Sequence, residues 1–140
     1  MTNHDPFPDV ELMLVGDGTD PGFLEQFGQC VTSTPADLKE RLADGAFVLR
    51  VARVGGGEAA NRTTDNPRVS VQVFALRSSA TPRAVHDQSA AVRAALLNAA
   101  AVTAFGRLDR GETEAGPTAY PWPDPEIEVV QQVFRLSTRR

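Results

Sequence analysis

Three groups of residues have the types that chemistry uses. The first is the stretch His86-Asp87-Gln88-Ser89. A Ser–His–Asp relay needs members that converge from different elements. His86 and Asp87 are neighbours in a helical pattern and therefore point to different sides. His86 is expected to be a solvated helix residue. His4 is the only other histidine, so no His-based metal centre is expected. The second group is the triplet Gly55-Gly56-Gly57. A phosphate-cradling loop would continue with Lys-Ser/Thr and open a helix, and neither follows here. The triplet reads as a flexible connection.

The third group is acidic. Asp17 and Asp20 lack the alternating ligands and distal Glu of a calcium loop. Asp109 with Glu112 and Glu114, and Asp124 with Glu126 and Glu128, alternate along strand-like segments, the pattern of a solvated face. Any acidic catalytic site would have to use Asp109, Glu112 and Glu114. Cys30 is the only cysteine, which excludes an internal disulfide and a Cys-rich zinc site; a small buried hydrophobe is expected. Asn61-Arg62-Thr63 matches the glycosylation acceptor pattern, but Met1–Pro6 does not open a secretory leader, so the match reads as chance. No catalytic, metal or cofactor-binding residue is assigned. The expectation is a protein that is not an enzyme.

The elements that position these residues follow from pattern and composition. A chain of 140 residues with 41% hydrophobic and 23% charged residues suits one globular domain. The net charge of -4 argues against a general nucleic-acid binder. No stretch approaches the roughly 20 apolar residues that a membrane helix needs. A short helix is expected from about Pro8 to Val15, ending at Gly16. A second is expected within Thr34–Gly45, with Thr34 as cap, Pro35 in the first turn, and Leu38 and Leu42 facing the core. Alternation predicts strands over Ala46–Val54 and Arg68–Leu76. In the second of these, Phe74 and Leu76 share a face with Ser70 and Gln72, which suggests a contact surface. The Ala-rich stretch Pro82–Ala101 is the strongest helix, and strands follow near Thr103–Thr113 and Glu126–Ser137. Residues 55–67 and 115–125 read as long loops, the latter containing Gly116-Pro117 and Tyr120-Pro121-Trp122-Pro123.

The predicted architecture is a single α+β domain over residues 1–140. Its sheet is four-stranded and mostly antiparallel, two strand pairs around a long helix, with helices packed on one face. Within the first long loop, Asp65 and Arg68 bracket Asn66-Pro67. They form either a local turn or an intersubunit salt bridge.

An apolar strand ending in Arg53-Val54-Gly55-Gly56, a polar loop with Thr64-Asp65-Asn66-Pro67, the strand Val69–Ala75 and an Ala-rich helix follow one another. Gly106, Gly116-Pro117, "YPWPDP" and a closing "FRLSTRR" complete the series. From about Phe47 to Arg140 this order resembles the tail terminator proteins of long-tailed, siphovirus-type bacteriophages.

The resemblance implies a homo-oligomer, a six-subunit ring at the head-proximal end of the tail tube. The ring stops tube polymerisation and joins the head. The implied partners are further copies, the tail tube protein and the head–tail connector, in the host cytoplasm during assembly and then in the virion. Genomic DNA would pass through without sequence-specific binding; six copies carry about -24, which repels phosphate if it faces the lumen. A head-completion or connector protein of the neck is the nearest alternative, and a small α+β enzyme or accessory domain is the distant one. The candidate assembly residues are Gly55, Gly56, Gly57, Asp65, Arg68, Phe74 and Leu76.

Overall fold

A computed structural model describes residues 9–58 and 64–139. The first helix, α1 (Val10–Val15), starts where Asp9 Oδ1 accepts the backbone N–H groups of Glu11 and Leu12. It stops at Gly16 (φ +83°), where a Cβ would lie 2.6 Å from the backbone nitrogen of Gly22. A 3-10 turn (Phe23–Phe27) leads into β1 (Gln29–Val31), which pairs in parallel with β2 (Val48–Glu58). Between them lie α2 (Leu38–Arg41) and a 3-10 turn at Ala43–Gly45. Next come β3 (Thr64–Leu76) and α3 (Pro82–Leu97), then β4 (Ala100–Thr103), β5 (Gly106–Ala119) and β6 (Ile127–Arg139).

All six strands form one sheet in the order β1-β2-β3-β6-β5-β4. This corrects the expected four-stranded antiparallel sheet around a long helix with helices on one face. The sheet is six-stranded, curled and mixed, and helical segments pack on both of its faces. The two added strands are β1 and β4, and the expected strands also run longer, through Gly and Pro residues that read as loops. Gly55, Gly56 and Gly57 are paired strand residues opposite Arg68, Pro67 and Asn66, beyond a register shift at Arg53/Gly55. A β-bulge there admits the extra residue, with Gly55 at φ +155°. Pro67 sits where the β3–β6 ladder skips from Asp65 to Arg68, so its missing N–H costs no ladder bond. Gly116 and Pro117 fall between Ala115 and Thr118, at another shift in the β5–β6 register. The expected loop over 115–125 therefore contracts to the few residues between Ala119 and Ile127.

β1 and β4 complete the sheet. β1 is too short to show alternation. β4 follows directly on α3, because Asn98 ends the helix with its Nδ2 on the Ala94 carbonyl at 2.8 Å, before the alanine run ends. Thr81 caps the start of α3, its Oγ1 accepting the Ala84 N–H at 3.1 Å, with Pro82 in the first turn as the sequence predicts. The expected helix over 34–45 is only one turn, α2, and Thr34 does not cap it.

The two faces carry different cores. Val69, Val71, Val73 and Ala75 of β3 point to one side with Val130, Phe134 and Leu136 of β6. There they meet Val85, Val92 and Leu96 of α3, Met13 and Leu14 of α1, and Leu24. The opposite face has a smaller cluster at one end: Val48, Phe74, Ile127 and Val129 under Leu38 and Leu42. Trp122 packs against it, its ring 4.9 Å from that of Phe74 at 84°, edge to face. Lys39 of α2 reaches Asp124 and Glu126, each at 2.9 Å, and fastens α2 to the β5–β6 turn.

Candidate functional site

Alternation along β3 sends Arg68, Ser70, Gln72 and Phe74 to the same side of the sheet. Phe74 is buried at 1% exposure beneath α2 and beside Trp122, and Leu76 is half-buried in the same cluster. Both were expected to offer a contact surface; within the chain they pack under a roof formed by α2 and Trp122.

Beyond that roof the face is open and polar. Gln72 bridges the strands on either side, accepting from Arg50 Nη1 at 3.4 Å and donating to Gln131 Oε1 at 2.9 Å. The Nε of Arg50 is buried without a hydrogen-bond partner among the described residues. Farther along, Glu114 takes two guanidinium groups, Arg68 and, at 2.9 Å, Arg135. Asp109 likewise takes Arg107 at 3.0 Å and Arg139 at 3.3 Å. Each of these two carboxylates thus faces two arginines. The Arg68 contact, with Arg135 second, holds the Glu114 carboxyl below its ordinary value.

The site residues named from the sequence are therefore separated. Asp65 does not meet Arg68. It is buried at 2% exposure on the α3 side and accepts from both terminal nitrogens of Arg53, at 2.7 and 3.2 Å. Gly55, Gly56 and Gly57 lie in the paired arm made by β2 and β3. Of the seven, Arg68 alone belongs to the charged open face. Sequence reasoning missed Arg50, Arg107, Arg135 and Arg139, whose common face appears only once the strand register is known.

Several of the groups weighed for chemistry make local contacts. Asp109 and Glu114 are each paired with two arginines. Ser89 is buried and donates to the Val85 carbonyl at 2.9 Å, whereas His86 is exposed on α3. Asp17 accepts the backbone N–H groups of Asp20 at 2.7 Å and Thr19 at 2.9 Å, which lower its pKa and close a local turn. Cys30 lines a cleft of about 420 Å³ with Val15, Gly16, Glu25 and Gln29. Burial, helped by the Glu25 charge, pushes its thiol up to about 12, so it stays protonated at neutral pH and is a weak nucleophile. Among the described residues no group of three or more His, Cys, Asp or Glu side chains is arranged to hold a metal ion. No described helix is long and apolar enough to cross a membrane.

No protein-family model matches this chain, and no curated protein matches it. Among solved structures, a chain in the "Virion of native gene transfer agent (GTA) particle" is similar. The TM-score is 0.55 and the identity 19%, over 94% of this chain and 85% of that chain. At that identity the likeness is one of fold.

Proposed function

We propose that the protein is a structural component of a phage-like virion, and within it a tail terminator rather than an enzyme. In this reading copies of the chain form a ring, six in number, on the head-proximal end of the tail tube. The ring ends tube growth and presents the surface to which the head connector binds. The supporting observation is the likeness of fold to a component of a gene transfer agent virion, which runs through 94% of the chain rather than through one motif. It agrees with the independent resemblance of the segment from Phe47 onward to tail terminators. The subunit also suits a ring: its sheet has two unlike sides, and a heterologous contact needs two unlike patches.

Deleting the gene and imaging the particles by electron microscopy tests this reading. A terminator yields overlong tails without heads. Finished tails beside leaky heads assign the protein to the neck instead, and normal virions remove it from assembly altogether.

A further inference from the structure

The charges of this chain are divided along its length. Residues 1–38 contain seven Asp and Glu and no Lys or Arg, so against a chain total of -4 the remainder stands at +3. Folding sets the acidic end of the chain and five of the arginines on opposite sides of the sheet, while Arg53, Arg83 and Arg93 stay on the α3 side. α1 and the Phe23–Phe27 turn pack on the face that carries Val69, Val71 and Val73. Their surroundings expose Asp9, Asp17, Asp20 and Glu25, with Glu11 half-exposed. Among the described residues none of these five meets an arginine or lysine. The open face on the other side of the sheet holds Arg50, Arg68, Arg107, Arg135 and Arg139 against Asp109, Glu112 and Glu114, a surplus of two positive charges.

We infer that the acidic α1 lobe of one subunit docks on the arginine face of the next, head to tail. The inference rests on the ring reading above and names the contact that closes the ring. The occupant is a second copy because the complementary patch is in the same chain, on the opposite side of the same sheet. A contact between two different patches on opposite sides propagates and closes when the rotation permits. The surplus of arginine over carboxylate leaves guanidinium donors for incoming carboxylates, where bidentate pairing gives direction as well as attraction. A chain at -4 is poorly suited to a polyanion as the primary occupant.

Reciprocal charge reversal in the full chain tests the contact. One variant carries Glu11→Lys, Asp20→Lys and Glu25→Lys, which turns the lobe from five negative charges to a net +1; the other carries Arg135→Glu and Arg139→Glu. Asp20, Glu25, Arg135 and Arg139 are exposed and Glu11 is half-exposed, and the three acids lie outside any described ion pair, so the first variant keeps its fold even if the second is weakened. Circular dichroism checks both. Light scattering and sedimentation should show the wild type self-associating at about 0.1 M salt, with the dissociation constant rising on the order of tenfold or more at about 1 M. Each variant alone should be monomeric, since its two patches then have the same sign. Mixed one to one, they should assemble again with strict alternation, because each reversed patch meets its complement on the other variant.

A wild type that stays monomeric at low salt overturns the contact, as does self-association unchanged by either reversal. So does binding of a duplex oligonucleotide that Arg135→Glu/Arg139→Glu abolishes while self-association persists. Alternating assembly in a protein whose deletion leaves normal tails would retain the contact and dismiss the terminator reading. Overlong tails with an insensitive oligomer would do the reverse.

Discussion

The two sides of β3 are built from one strand and end up differently. On the α3 side Val69, Val71, Val73 and Ala75 are all completely buried, a uniform apolar row under helices along its length. On the other side Phe74, Gln72, Ser70 and Arg68 step from aromatic to amide to hydroxyl to guanidinium within four alternate positions. The first row is a core and can only be core. The second is roofed at one end by α2 and Trp122 and open at the other. Periodicity therefore tells which residues share a side; the gradient of residue type along that side tells where its cover stops.

The sharpest way to break the contrast is to truncate one large residue on each side. Phe134→Ala, at 0% exposure in the main core, should cost about 3–5 kcal/mol in denaturant unfolding. Phe74→Ala should fall at or below the lower end of that range, about 3 kcal/mol, because its cluster is smaller. It should also shift the emission of Trp122, the chain's only tryptophan. Equal costs with unchanged emission would mean that the α2 roof does not sit as described.

A middle-sized effect is expected at the Arg53–Asp65 pair. Arg53→Ala strands the carboxylate of Asp65 at 2% exposure. The loss should be about 1–3 kcal/mol, below that of a fully buried pair because the Arg53 side chain is 34% exposed. Thr138→Val goes the other way. Its Oγ1 is buried without a partner among the described residues, so the isosteric change should raise stability by up to about 1 kcal/mol, measured by the same unfolding curves.

The smallest expected effect is a pH slope on the open face. Glu114 is held below its ordinary value of 4.5 by Arg68 and Arg135. The stability it contributes is present above 4.5 and fades as the pH falls through its lower folded value. Arg135→Gln should flatten the acid limb of stability below about pH 4.5; an unchanged limb would detach Glu114 from the pair.

Much of the fold was legible in the residues. Asp9, Thr81 and Pro82 mark helix starts by side-chain chemistry that acts locally, and the strand alternation of Val69–Ala75 needs only the neighbouring positions. What was not legible depends on partners far along the chain. Gly55 and Pro67 read as loop residues until β2 and β6 supply a bulge and a gap that admit them. Val129 and Phe74 are 55 positions apart and define the roofed end only through the register of β3 with β6. The same limit applied to the candidate site. Asp65 and Arg68 are close in sequence, but strand geometry sends them to opposite sides, and each takes its partner from elsewhere.

The placement of β6 has a consequence for how the chain is made. It lies between β3 and β5, bonded to both, and is the last of the six strands in chain order. On the ribosome β3 and β5 are complete while the slot between them is empty, so the sheet cannot close until Ile127–Arg139 has emerged. Until then two long strand edges wait unpaired, the condition in which nascent chains pair with one another. A ribosome stalled before Ile127 would release a fragment prone to clumping, and efficient production of the protein depends on β6 arriving promptly.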